Sequence, residues 1–334
     1  MPISLVTGGA GFVGSHVAEY LLQHGHMVVV LDDLSGGYER NIPPEARFVR
    51  GSVTDADLVE ELFSRCQFDY VYHLAAYAAE GLSHFIRRFN YTNNLLGSIN
   101  LINAAVRHES KCFVFTSSIA VYGAGQVPMV ESMPPQPEDP YGISKLAVEQ
   151  DLACARRMFG LNYVVFRPHN IYGERQNLGD RYRNVIGIFI NQAMRGLPCT
   201  IFGDGLQTRA FTHISEVVPA IARAAEMPQT YGEVYNLGAD HPYTILELAE
   251  MVQEVMGTRL GVQHLPARNE VKHAISDHSK ARATFGPPNE ISLREGLERM
   301  ARWARTMGPQ KPSVFGEIEI ARALPPSWAG ALNE

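Results

Sequence analysis

Cysteine is scarce in this chain: four among 334 residues, at Cys66, Cys112, Cys154 and Cys199. No two stand at the spacing of a metal knuckle, and so few make no disulfide framework. A reduced, cytoplasmic setting is the expectation, with no bound metal. An excess of positive charge is also missing. Lys and Arg number 29 against 35 Asp and Glu, a net charge of −6. Such a chain offers no broad electrostatic footprint for nucleic acid. Long apolar runs are absent too, and the first strand-like segment begins at Ile3. Neither a membrane span nor a secretory leader is expected. No internal repeat and no low-complexity segment stands out.

Glycine, in contrast, is plentiful, and its first occurrences organise the rest. An apolar run, Ile3 to Val6, meets Gly8, Gly11 and Gly14, and Val17, Ala18, Leu21 and Leu22 follow at helical spacing. Physically this is a buried strand, a tight turn and a helix N-terminus whose free amides and dipole face a pyrophosphate. A second apolar run, Met27 to Leu31, ends in Asp32-Asp33. That is about 20 residues on, where a carboxylate accepts the ribose hydroxyls of a dinucleotide. Asp32 would repel a 2′-phosphate, and no Arg or Lys lies between it and Glu39. NAD is therefore expected rather than NADP.

Strands and helices alternate through the first half. Strands are expected at Arg47–Arg50, Tyr70–Ala76, Cys112–Ser118 and Asn162–Arg167. Helices are expected at Asp57–Phe63, as one long element over Ser83–Val106, and after Pro140. The alternation predicts an α/β fold: a Rossmann-type, doubly wound parallel sheet with ligands at the carboxyl ends of its strands. After residue 170 loops lengthen and glycines and arginines collect, among them Arg175, Gly179, Arg183, Gly203 and Arg209. We expect residues 1–170 to form the NAD-binding domain. Segments near 210–238 should return to it: a helix around Glu216–Glu226 and a strand at Val234–Leu237. Residues 171–308 should form a smaller, interleaved α/β substrate lobe, with a helix from the Thr244 N-cap to Met256. The tail, 309–334, carries no interpretable motif.

The chemistry is expected at Tyr141-Gly142-Ile143-Ser144-Lys145. Positions i and i+4 share a helix face. A lysine ammonium there would stabilise a phenolate, drawing the tyrosine from about 10 toward neutrality and making it a general base. Thr116, Ser117 and Ser118, at the end of the preceding strand, supply hydroxyls for a substrate oxygen. His169 and His213 have no metal-like companions and are read as structural or cofactor-adjacent.

These motifs together resemble the extended short-chain dehydrogenase/reductase family, in its nucleotide-sugar epimerase and dehydratase group. The resemblance runs in order from residue 3 to about 300. It includes His73-Leu74-Ala75-Ala76, Asn93-Asn94-Leu95-Leu96-Gly97, Ser117-Ser118-Ile119-Ala120-Val121-Tyr122-Gly123 and Arg167-Pro168-His169-Asn170-Ile171-Tyr172-Gly173. It implies a cofactor site of Gly8, Gly11, Phe12, Val13, Gly14, Asp32, Asp33, Leu34 and Ser35 at the adenosine and pyrophosphate. Ser52 and Val53 would lie by the adenine, although the family often has Asp where Ser52 stands. Leu74, Ala75, Ala76, Asn93, Thr116, Tyr141, Lys145, Pro168 and His169 would complete it. Ser118, Asn170, Val185, Thr200, Phe202, Arg209 and Arg268 would meet a nucleotide-diphosphate sugar, the two arginines at its diphosphate. Tyr141, Lys145 and Ser118 would be catalytic. The resemblance also implies a homodimer built through a four-helix bundle.

One departure separates the reactions of that group. Relatives that dehydrate or decarboxylate sugars usually carry acids just after the Ser118 position. Here Ile119 and Ala120 stand there, and neither can protonate a leaving hydroxyl. The expected activity is 4-epimerisation through a transient 4-keto sugar. The alternatives are a 4,6-dehydratase, a 4-ketoreductase, an epimerase at another carbon, or a non-catalytic NAD(P)-sensing protein.

Overall fold

The computed structural model describes residues 1–125, 127–268 and 271–329. Its main sheet has six strands from the first half of the chain: β1 (Ile3–Thr7), β2 (Met27–Asp32), β3 (Arg47–Arg50), β4 (Tyr70–His73), β5 (Cys112–Thr116) and β6 (Tyr163–Pro168). Strand Glu233–Leu237 adds a seventh. In space the order runs Glu233–Leu237, β6, β5, β4, β1, β2, β3. Every neighbour is parallel. The chain winds one way from β1 to β3 and then the other way from β4. The reversal between β1 and β4 opens a crevice at the carboxyl edge.

Both faces of the sheet are buried, which is why its strands read as near-continuous apolar runs. On one face Val17, Ala18 and Leu21 of α1 (Phe12–Gln23) pack with Val217, Val218 and Ile221 of the returning helix Ile214–Arg223. On the other, α2 (Ala56–Cys66), α5 (Gly97–Arg107) and α6 (Pro140–Phe159) bury Leu62, Phe63, Leu101, Ile102, Val148 and Leu152. A third core, with Phe189, Ile201, Leu248 and Leu297, belongs to the second half of the chain. There the helix Ile245–Met256 starts at Thr244, and Thr244 and Glu247 cap each other reciprocally.

The long helix expected over Ser83–Val106 is not one element. A single turn, α3 (Glu80–Ser83), is followed by a break at 84–86, then α4 (Arg87–Tyr91), a π-helical segment Thr92–Leu96, and α5. At the break Ile86 is buried in an aromatic cluster, and its backbone, φ −134° and ψ 45°, leaves the helical region. The Glu319 carboxylate, from the tail, takes the amides of Arg88 and Phe89 at 2.8 Å each. The wide turn at Thr92–Leu96 coincides with buried Asn94, which holds both backbone groups of Tyr77. Such π segments are often found at functional sites. β4 and β5 also stop short of the expected Ala76 and Ser118. The Leu74 and Ala75 amides turn to the Thr7 hydroxyl, at 3.2 and 3.3 Å.

Candidate functional site

A cleft of about 670 Å³ runs along the carboxyl edge of the sheet and down into the second half of the chain. At one end lies the glycine loop. Gly8 has φ +70°, and a Cβ there would stand 2.7 Å from the Ala75 nitrogen. A Cβ on Gly14 would stand 2.1 Å from the Gly8 carbonyl oxygen, so helix and loop can approach this closely only without side chains. No side chain caps α1 at Gly11, which leaves the first-turn amides to an incoming anion. Asp32, at the end of β2, accepts the amides of Ala10 (3.0 Å) and Leu34 (2.8 Å). Burial pushes its carboxyl pKa above the usual range, and these amides oppose the shift. This donor set and the close glycine packing fit a dinucleotide with free ribose hydroxyls.

Almost every residue expected at the cofactor lines this cleft: Gly8, Gly11, Phe12, Val13, Gly14, Asp32, Asp33, Ser35, Ser52, Val53, Leu74, Ala75, Ala76, Asn93, Thr116, Tyr141, Lys145, Pro168 and His169. Leu34 is the exception. It sits at φ +63° and contributes the amide that fixes Asp32. Ser52 shares a hydrogen bond with the Thr54 hydroxyl at 2.9 Å.

Tyr141 enters at the start of α6, where Asp139 caps the helix through the Gly142 amide (2.9 Å) and Pro140 opens the first turn. Asn90 braces the same turn by donating to the Pro140 carbonyl at 2.9 Å. One turn on, Lys145 is 2% exposed and donates to the Thr116 carbonyl at 2.8 Å. Burial lowers its pKa to about 7, with Glu149 pulling the other way. Burial also raises the Tyr141 phenol, with the Ser118 hydroxyl opposing. The expected acidification of Tyr141 by Lys145 is therefore not present among the chain's own groups. The ammonium faces the Thr116 carbonyl, and its nitrogen lies 5.8 Å from the centre of the tyrosine ring. Ser118 accepts the Ala120 amide at 3.1 Å, which leaves its own proton to donate. Ile119 and Ala120 line the cleft beside it, apolar as their sequence implies.

At the far end the expected substrate residues Ser118, Asn170, Val185, Thr200, Phe202, Arg209 and Arg268 all line the cleft. Asn170 holds a left-handed backbone, φ +42°, which a non-glycine residue adopts under constraint. Arg209 is pinned by the carbonyls of Val271 (2.6 Å) and Thr208 (2.8 Å). The Arg268 guanidinium lies 4.5 Å from the centre of the Phe202 ring.

Sequence reasoning passed over several residues that the fold brings here. Glu149, four residues beyond Lys145, is 7% exposed; it accepts from the Ser117 hydroxyl and forms a buried pair with Arg167. Its helical spacing from Lys145 is the signal that could have found it. Tyr77, Tyr182 and Arg183 line the cleft from loops, where no periodicity marks them. His169 stacks on His278, nitrogen to nitrogen at 3.1 Å, and His278 bonds Asp240 at 2.7 Å. Gly238 permits the pair, because a Cβ there would stand 1.8 Å from the His169 Nε2. His213, in contrast, caps the helix Ile214–Arg223. Among the described residues no group of three or more His, Cys, Asp or Glu is placed to hold a metal ion.

A dinucleotide loop at the switch point of a parallel sheet, with a buried tyrosine and lysine at its centre, defines a Rossmann-type oxidoreductive site. The chain belongs to the NAD dependent epimerase/dehydratase family, whose sequence profile matches residues 4–238. It is 34% identical over 304 residues to a putative UDP-glucose 4-epimerase of Methanocaldococcus jannaschii, covering 90% of this chain and 98% of that one. The UDP-glucose 4-epimerase of Thermotoga maritima, solved with UDP-glucose, superposes with a TM-score of 0.87 at 34% identity, over 91% of this chain and 99% of that one. The Thermus thermophilus UDP-glucose 4-epimerase, solved with NAD, gives a TM-score of 0.85 at 32% identity, over 90% and 98%.

Proposed function

We propose that the chain is an NAD-dependent nucleotide-diphosphate-sugar 4-epimerase. The carrying observation is the meeting of Tyr141, Lys145 and Ser118 in one cleft with the glycine loop at one end and Arg209 and Arg268 at the other. The relatives act on or bind UDP-glucose by name, so a UDP-sugar is the first substrate to try. We assign the NAD site to residues 1–170 with the returning segments near 210–238. The interleaved residues 171–308 hold the nucleotide sugar.

In this reading Gly8, Gly11 and the first turn of α1 bind the pyrophosphate of NAD, and Asp32 the adenosine ribose. When bound, NAD would supply a reversible hydride acceptor for sugar carbon C4, and its oxidised form would bring a positive charge to the cleft. Tyr141 takes the proton from the 4-hydroxyl and later gives it back. Ser118 donates to the same sugar oxygen and holds it through both directions. Lys145 keeps Thr116 and the strand end in place. Arg209 and Arg268 grip the diphosphate, so the keto sugar can turn about that link without leaving. Ile119 and Ala120 offer no acid for elimination, which favours epimerisation over dehydration.

A second reading rests on Glu80. It lines the cleft, and its charge reaches Tyr141. A carboxylate there suits proton removal at a further carbon, as in a dehydratase or an epimerase acting elsewhere on the ring. Incubation of the purified protein with UDP-glucose, UDP-galactose and a panel of other nucleotide sugars tests both. Interconversion at C4 supports the first reading; a dehydrated keto product or inversion at another carbon supports the second.

A homodimer belongs to the same proposal. Leu96, on the π segment, and Ile143, on α6, are exposed apolar residues on adjacent helices, as a four-helix interface requires. The cytoplasmic setting is also part of it, and the four free thiols are compatible with a reducing compartment.

A further inference from the structure

The tail, unreadable as sequence, crosses both halves of the molecule. After the helix Leu293–Met307, Gln310 exchanges two hydrogen bonds with Asn191, at 2.8 and 2.9 Å. Ser313 donates its amide (2.7 Å) and its hydroxyl (3.0 Å) to the Gly179 carbonyl. The Phe315 amide donates to the Tyr182 hydroxyl at 3.1 Å. From here the tail leaves the substrate half and joins the cofactor half. The Phe315 ring packs on Tyr77 and Phe89, with centroids 5.1 and 4.8 Å away. Glu319 caps α4, and the amides of Glu319 and Ile320 donate to the Phe85 carbonyl at 2.9 and 3.2 Å.

The tail's last anchor is Trp328, only 4% exposed. Its ring lies edge-on to Tyr182 (5.3 Å), Phe202 (6.3 Å) and Phe85 (6.3 Å). The Arg268 guanidinium stands 6.0 Å from it. Gly81 is close enough that a Cβ there would meet the ring at 3.3 Å. Tyr77, Gly81, Phe89, Tyr182, Phe202 and Arg268 all line the cleft, whereas Trp328 and Phe315 lie behind them. An aromatic ring fixed behind a wall residue restricts that residue's rotamers, and a guanidinium between two rings is held by cation–π attraction.

We propose that residues 309–329 are a built-in strap forming the outer backing of the nucleotide-sugar end of the cleft. Trp328 is its positioning residue: it holds Phe202 and Arg268 in the orientation that receives the nucleotide diphosphate. The inference rests on the nucleotide-sugar reading above. The neighbours of Trp328 (Phe85, Tyr182, Phe202, Arg268 and Gly81) include none of the residues assigned to the cofactor, so Trp328 acts on substrate affinity more than on NAD.

The test compares full-length wild type, Trp328→Ala and Trp328→Phe by calorimetric titration with UDP and, separately, with NAD, alongside thermal melting. Trp328→Ala should weaken UDP binding about ten-fold and change NAD binding less than two-fold, and Trp328→Phe should restore much of the loss. Turnover with UDP-glucose should show the change in KM more than in kcat. Unchanged UDP affinity in Trp328→Ala would overturn the proposal, and so would equal losses for UDP and NAD, which signal general loosening. If wild type itself binds NAD but neither UDP nor UDP-glucose, the nucleotide-sugar reading fails and the strap's role fails with it. A chain ending at Gly308 gives the same contrast if it folds; Trp328→Ala decides the matter if it does not.

Discussion

Burial dominates the behaviour of single residues at the centre of the cleft. Tyr141→Phe keeps the ring packed and removes the one hydroxyl assigned to the sugar proton. Turnover should fall by about 10²–10⁴, with UDP binding nearly unchanged. Near-normal turnover, measured by steady-state kinetics, would show that Tyr141 is not the base; a wild type that binds NAD and turns over no nucleotide sugar would point to the non-catalytic, NAD-sensing reading. Lys145 gives a stability signature independent of substrate. Its pKa is lowered to about 7 in the folded chain by burial, against about 10.4 for a lysine in water. Between those values the unfolded chain binds the extra proton, so stability rises with pH across that window. Below 7 the cost of burying the charge is fully present and constant. The melting temperature of wild type relative to Lys145→Met should therefore climb between pH 7 and about pH 10; a constant difference would show that the ammonium is not desolvated. The Tyr141/Lys145 spacing was legible in the sequence because four residues make one helical turn. The pKa shifts were not, because they arise from burial, opposed by Ser118 at Tyr141 and by Glu149 at Lys145, and only the fold assembles that burial.

At the scale of elements, local rules located the strands and the glycine turn, and long-range contacts set where elements stop. β1, β2 and the start of α1 were readable because apolar runs meet glycines that no other residue can replace. Gly14→Ala tests this directly. Its Cβ would stand 2.1 Å from the Gly8 carbonyl oxygen, and that backbone cannot yield as a flexible side chain would. We expect about 1–3 kcal/mol of destabilisation from overpacking and at least a ten-fold loss of NAD affinity. Gly316→Ala is the control: nothing lies within 4 Å of its would-be Cβ, and its φ is not in the left-handed range. Denaturant melts and NAD titration read both effects; equal behaviour of the two variants would mean that the loop tolerates displacement. The break in the helix expected over Ser83–Val106 was invisible for the opposite reason. Phe85 and Phe89 fit a continuous helical stripe, and only the tail, more than 200 residues later, explains the stop: Glu319 takes the Arg88 and Phe89 amides. No sequence window contains both ends of that contact.

For the whole molecule, the expected partner is a second copy. The helical run Arg87–Arg107 and α6 lie side by side, and their inner faces fill the core against the sheet. Their outer faces keep Leu96 at 55% exposure and Ile143 at 41%. Pairing these faces about a two-fold axis would bury both helices of each subunit in an isologous interface. Leu96→Glu would place a carboxylate at that seam, opposite its own copy. Wild type should give a dimer mass by light scattering at micromolar concentration, and Leu96→Glu a monomer or a strongly weakened dimer. The cleft's glycine loop, Tyr141, Lys145, Ser118 and both arginines come from one chain. The dissociated variant should therefore keep NAD binding, and its turnover should stay within a few-fold of wild type. A monomeric wild type would remove the dimer from the reading. A monomeric Leu96→Glu that loses NAD would show instead that the pairing holds α6, and with it Tyr141, in register with the sheet.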